Sequence, residues 1–116
     1  LYTKPQQLSL EEMFLVAQTY EPGSKEFNEV FEIAVRMFPD DPTANLNVAC
    51  AMIESGQYGR AEVYLAKAGN LPEAVHARGV MAARQGREDE ARRLFGQAGQ
   101  AGVKEATENL RLMDME

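Results

Sequence analysis

Apolar residues recur along this chain at spacings of three and four, with polar residues between them. In the first such stretch Met13, Val16, Ala17 and Tyr20 share one stripe. This spacing is typical of amphipathic helices with one buried face. Further stripes include Phe27, Val30, Phe31, Ala34, Val35 and Phe38, then Leu46, Val48, Ala49, Met52 and Ile53. The whole pattern predicts seven helices and no strand, so we expect an all-α fold.

Helix-capping residues stand where the stripes begin and end. Ser9 is followed three residues later by Glu12, the pattern of a capping box, and Ser24 precedes the second stripe. Asp41 comes directly before Pro42, which suits the first turn of a helix. At the other ends, we expect Gly69 and Gly99 to adopt the left-handed conformation that closes many helices.

One stretch of the sequence is repeated. Residues 45–68 recur 30 residues later as residues 75–98, so that Gly56 matches Gly86 and Ala49 matches Gly79. The same alignment matches Leu65 with Phe95. Self-similarity at a fixed period of this size indicates a repeat architecture in which each copy is one supersecondary motif. Each copy is interpreted as a helix, a tight turn containing glycine, and a second helix.

The repeat predicts how the chain is divided. We expect an extended lead-in over residues 1–8 and three helix-turn-helix units over residues 9–41, 42–71 and 72–101. A final helix over residues 102–116 has one apolar and one strongly charged face. Such a helix is suited to cap the open end of a stack of repeats.

The residues at the repeated positions resemble the tetratricopeptide (TPR) repeat, a helix-turn-helix unit found in many scaffolding proteins. The first helix of the second unit carries Asn45, Val48, Ala49 and Met52 at the family's positions, and its second helix carries Ala61, Leu65 and Ala68. The resemblance implies a right-handed α-solenoid of three units plus a capping helix. It also implies a non-catalytic protein–protein interaction module. The period of 30 residues departs from the family value of about 34.

Residues 8–41 have a second resemblance, to the C-terminal repeat region of uncharacterised envelope proteins from Gram-negative anaerobes. That resemblance implies a periplasmic or cell-envelope location, with the cytoplasm as the alternative. Leu1 is not an initiator methionine, and the first residues lack the layout of a signal peptide. We therefore expect a fragment or a processed product of a larger protein, and the residues themselves leave its compartment unknown.

The composition of the chain argues against several functions. A formal net charge of −6 disfavours binding to nucleic acid, and no run approaches the ~20 apolar residues of a transmembrane helix. Cys50 is the only cysteine and His76 the only histidine, so a site built from several of either is unavailable within one chain. In the repeat alignment Cys50 matches Val80 and not His76, so the two do not occupy equivalent positions. We therefore predict no enzymatic activity and no cofactor.

The TPR resemblance places a binding groove on the first helices of successive units. The residues expected to line it are Leu46, Asn47, Cys50, Ile53, His76, Val80 and Arg84. Such a mixed apolar and polar strip suits an extended peptide or one face of a helix from a protein partner. The family's clamp for peptide carboxylates is excluded, because Glu73 and Ala77 stand where its last two cations belong.

Two alternatives to a foreign ligand remain open at the level of sequence. A segment of the same chain could occupy the groove. The chain could also be a structural spacer or a self-association tail of a larger envelope protein, with contacts between identical copies.

Overall fold

The computed structural model describes residues 9–115, and these are helical without any strand. The helices are α1 (Leu10–Ala17), α2 (Lys25–Met37), α3 (Pro42–Glu54), α4 (Tyr58–Ala68), α5 (Pro72–Arg84), α6 (Glu88–Gln100) and α7 (Lys104–Asp114). This confirms the all-α prediction. The predicted lead-in over residues 1–8 lies outside the described residues. None of the described helices is long and apolar enough to cross a membrane.

The predicted caps form at the starts of the first three helices. The Ser9 hydroxyl accepts from the Glu12 amide and the Glu12 carboxylate accepts from the Ser9 amide, both at 3.2 Å. The Ser24 hydroxyl accepts from the amide three residues further on at 3.2 Å, and the Asp41 carboxylate does the same at 2.8 Å. These bonds pair amides that a helix start otherwise leaves without a partner.

The two predicted helix-ending glycines behave differently. Gly69 adopts the left-handed conformation, with φ of 67°. The prediction for Gly99 was wrong, because α6 continues to Gln100 and the left-handed residue after it is Gly102, with φ of 103°. A Cβ atom on Gly99 would lie 2.5 Å from the Thr107 hydroxyl of α7. Gly99 therefore permits a close approach between α6 and α7.

The described residues form two compact units, with the boundary between Ala68 and Gly69. From here on, these two are called the first unit and the second unit, as distinct from the three predicted repeat units. In the first unit α1 packs on α2, α2 on α3 and α3 on α4. The ring of Phe31 contacts those of Phe14 and Phe27, with centroids 5.5 Å and 4.9 Å away. Other buried core residues are Met13, Ala17, Ala34, Ala44, Val48, Ala49, Met52, Ile53, Ala61, Leu65 and Ala68. Aromatic rings of α1 and α2 thus pack in this core with aliphatic residues from all four helices.

In the second unit α5 packs on α6 and α6 packs on α7. One core cluster of this unit contains Val75, Ala82, Ala91, Leu94, Phe95, Ala98, Val103 and Ala106. Arg92 of α6 forms an ion pair with Asp114 and donates to the Met113 carbonyl at 3.1 Å. The final helix is therefore attached to α6 by buried small residues and by a charged contact.

Candidate functional site

The four predicted groove residues of the first unit all lie on α3, but they differ in accessibility. Leu46 and Asn47 are half-buried and Cys50 is exposed. Ile53 is only 3% exposed, which corrects its expected position in an open groove. The physical reason is its spacing, because Ile53 follows the fully buried Ala49 by one helical turn and shares its core-facing stripe.

Asn47 and Cys50 line a small depression of about 250 Å³ on the first unit. Its remaining lining residues are Pro22, Gly23, Phe27, Asn28, Ala51 and Glu54. The Asn47 side-chain amide donates to the Thr43 carbonyl at 2.9 Å, so one of its donors is already occupied within α3. The depression is therefore small, and the thiol of Cys50 and the carboxylate of Glu54 are the ionisable groups among its lining residues.

The surroundings of Cys50 do not activate its thiol. Neighbouring protein atoms remove part of its hydration, and this raises the pKa of the thiol, with the negative charge of Glu54 adding to the effect. A raised pKa leaves little thiolate at neutral pH, and thiolate is the nucleophilic form. Among the described residues, no group of three His, Cys, Asp or Glu side chains is placed to hold a metal ion.

In the second unit, His76 and Val80 of α5 face the final helix. Nε2 of His76 lies 3.1 Å from the side-chain amide nitrogen of Asn109, and its ring centroid lies 5.6 Å from that of Phe95. Val80 packs against the core cluster together with Leu110 and Met113. The chain's own C-terminal helix thus covers this part of the predicted groove. The sequence alone leaves that arrangement open as an alternative.

His76 makes the stability of the second unit depend on pH. Burial lowers the pKa of His76, while the nearby charge of Glu105 acts in the opposite direction. A depressed folded-state pKa means that the stabilisation is present above the ordinary histidine pKa of about 6.5 and is lost as pH falls through the folded-state value. We expect the urea concentration at the midpoint of denaturation to decrease when the pH is lowered from 7 to 5. His76→Gln keeps an acceptor for Asn109 but cannot ionise, so the midpoint of this variant should decrease less over the same pH interval. An equal decrease would contradict the assignment of the pH dependence to His76.

A larger depression, of about 370 Å³, lies beside His76 in the second unit, and we call it the α5–α7 depression. Its lining residues are Val80, Ala83, Arg84, Glu88, Phe95, Asn109, Leu112 and Met113. Val80 and Arg84 were expected from the sequence. The contributions of α7 were not, because its residues 109–113 were assigned only to a cap. Leu112 is 48% exposed and forms part of an apolar wall that is open to solvent.

A third depression, of about 210 Å³, lies between α2, α3 and α4, and sequence reasoning missed it. Its lining residues are Glu32, Val35, Arg36, Val48, Met52, Arg60 and Tyr64. The signal that the sequence offers is that residues 9–68 contain only two arginines, Arg36 and Arg60, and both line this depression. We call it the arginine depression.

Comparison of the chain with protein-family models, with curated proteins and with solved structures finds no significant match. The geometry of these three depressions and the repeated helical pattern are therefore the features that bear on function.

Proposed function

We propose that the chain is a non-catalytic protein–protein interaction module that binds an apolar segment of a partner in the α5–α7 depression. We further propose that α1–α6 form three TPR-like units of a right-handed solenoid, with α7 as its cap. The observation that carries the binding proposal is an open depression with an apolar wall, made by Val80, Phe95, Leu112 and Met113. Two residues expected from the sequence to contact a ligand, Val80 and Arg84, line it.

The matched turns of the repeated sequence support the repeat part of the proposal. Gly56 and Gly86 adopt nearly the same left-handed conformation, with φ of 79° and 81°. In the first turn the amide of Gln57 donates to the Met52 carbonyl at 2.8 Å. In the matching turn of the second copy, the amide of Arg87 donates to the Ala82 carbonyl at 2.9 Å. The two copies thus use one turn geometry between their helices, as units of one repeat family do.

The size and chemistry of the α5–α7 depression suit side chains of a protein segment. Its volume of about 370 Å³ lies at the low end of the 300–1,000 Å³ range of small-molecule pockets. The polar residues Arg84, Glu88 and Asn109 lie among the apolar ones. An amphipathic helix that inserts one or two apolar side chains matches this arrangement, with its polar groups meeting the polar residues.

Selection from a random-peptide display library tests the proposal without a known partner. We expect enriched peptides to share closely spaced apolar residues. They should bind Ala83→Arg at least about tenfold more weakly, because the new side chain fills the depression. Ala83 is exposed, so the substitution leaves the core unchanged. Ala66→Arg is the matched control, since Ala66 is an exposed helical alanine outside the depression.

Two outcomes would contradict this proposal. One is the absence of any enriched peptide, and the other is equal binding to wild type and Ala83→Arg.

The structural alternative, self-association, is supported by the exposure of Leu15 and Val16 on α1, at 64% and 37%. Sedimentation velocity on the same samples separates the two accounts. Dimerisation that is abolished by Leu15→Glu and unaffected by Ala83→Arg would favour the alternative.

A further inference from the structure

The arginine depression brings together the two arginines of the first unit. Residues 9–68 contain ten acidic residues but only four basic ones, namely Lys25, Arg36, Arg60 and Lys67. Arg36 comes from the last turn of α2 and Arg60 from the first turn of α4, and both line the same depression. In a unit with this excess of acid, a small site with two guanidinium groups is a local reversal of charge.

Within residues 9–115, neither arginine forms an ion pair with an acidic side chain. Arg36 forms no ion pair among the described residues, although Glu32 precedes it by one helical turn and lines the same depression. Nη1 of Arg60 donates to the side-chain carbonyl of Gln57, a neutral group, at 2.7 Å. With Glu32 counted, the lining residues carry a net charge of +1.

The floor of the arginine depression is apolar. Val48 and Met52 are the most buried of its lining residues, at 3% and 7% exposed, and we call them its floor; Val35 and Tyr64 are half-buried. The volume of about 210 Å³ is below the 300–1,000 Å³ range of pockets that enclose a whole small molecule. The space is therefore suited to a single apolar side chain, with an anionic group beside it at the guanidinium groups.

We propose that the arginine depression binds an acidic segment of a partner protein, in which an aliphatic side chain enters the floor and a neighbouring glutamate or aspartate contacts Arg36 and Arg60. Guanidinium groups pair with carboxylates through two parallel hydrogen bonds, which gives both affinity and orientation. Nucleic acids and anionic membranes carry many charges and would be repelled by the ten acidic residues of residues 9–68. A short peptide with one carboxylate avoids most of that repulsion.

This site goes beyond the function proposed above and is independent of it. The α5–α7 depression is lined only by residues of the second unit, and the arginine depression only by residues of the first. Failure of binding at one of them therefore leaves the other proposal standing.

A pair of capped peptides tests the proposal directly. One contains a leucine followed by a glutamate, and the other has glutamine in place of the glutamate. Each is titrated into ¹⁵N-labelled full-length protein, and the amide resonances are followed. We expect the acidic peptide to shift resonances at the end of α2 and the start of α4. The glutamine peptide should bind roughly three- to tenfold more weakly, as loss of a partly exposed charge pair predicts.

Three matched variants locate the effect on the protein. Arg36→Gln and Arg60→Gln should each weaken binding of the acidic peptide roughly three- to tenfold. Lys67→Gln removes the same charge from an exposed position of α4 outside the depression and should leave affinity unchanged. Equal weakening by all three variants would reduce the effect to net charge and overturn the proposal. Equal binding of both peptides, or shifted resonances confined to other helices, would overturn it as well.

Discussion

Gly79→Ala is expected to destabilise the second unit by about 1–3 kcal/mol, the usual cost of overpacking a core. A Cβ atom on Gly79 would lie 2.7 Å from two ring carbons of Phe95 and 3.3 Å from the Leu94 Cβ. The ring cannot move aside freely, because Phe95 is 3% exposed and also contacts His76. Urea denaturation followed by circular dichroism measures this loss of stability. The loss is opposite in sign to the gain that alanine normally brings inside a helix through its higher helix propensity.

Gly96→Ala is the matched control for that prediction. Gly96 also lies inside a helix, has no left-handed backbone, and has no heavy atom within 4 Å of the position of a new Cβ. Alanine there should stabilise the protein by roughly 0.5–1 kcal/mol, because glycine loses more conformational freedom on folding. Since both variants exchange a helical glycine for alanine, a difference in sign isolates the contact with Phe95.

A double substitution tests the same contact from within the chain. The repeat alignment matches Gly79 and Phe95 with Ala49 and Leu65, so one copy pairs glycine with phenylalanine and the other pairs alanine with leucine. Phe95→Leu should therefore recover part of the stability lost in Gly79→Ala. We expect a coupling energy of about 1 kcal/mol, within the range seen for residues in contact. Additive effects of the two substitutions would contradict a direct contact.

Local sequence signals predicted the helices of this chain well. The caps at Ser9, Ser24 and Asp41 depend on hydrogen bonds across three residues, and the structure contains all of them. The left-handed glycines at the repeated turns likewise depend on local backbone geometry. Where the relevant interaction spans one turn of helix, residue type and spacing were sufficient to predict it.

Interactions between helices were predicted less well. The sequence assigned Gly99 to a helix end, whereas its role is to let Thr107 of α7 approach. Similarly, α7 covers His76 through Asn109, a residue 33 positions away that no local pattern connects with it. The arginine depression was missed for the same reason, because Arg36 and Arg60 meet only when α2 and α4 both pack around α3.

Asn45 is a further residue whose role the sequence did not reveal. It was assigned to a packing position of the repeat, where the next copy has Val75. The structure shows a fully buried side chain whose amide donates to the Pro39 carbonyl at 2.9 Å and to the Asp41 carbonyl at 2.8 Å. These two bonds attach the start of α3 to the loop that precedes it. Asn45 therefore stabilises the connection between α2 and α3.

Asn45→Asp is expected to cost the first unit about 3–5 kcal/mol at pH 7. An ionised carboxylate donates no hydrogen bond, so the Pro39 and Asp41 carbonyls lose a donor and face a buried negative charge. Asn47→Asp is the control, because half-buried Asn47 makes a similar bond that is exposed to solvent, and its loss should cost less than about 1 kcal/mol. All four tyrosines lie in residues 1–68, so tyrosine fluorescence during urea denaturation reports on this unit alone.

The pH dependence of Asn45→Asp separates loss of hydrogen bonds from burial of charge. Burial raises the folded-state pKa of the new carboxyl above the unfolded value of about 3.9. Its protonated form is favoured in the folded state, so stability should rise as pH falls from 7 towards 5 and be lost again as pH increases. Asn45→Val, which copies the next repeat, loses the same donors without burying a charge and should show no such rise. If both variants cost the same and respond alike to pH, the charge contributes nothing and the hydrogen bonds alone explain the role of Asn45.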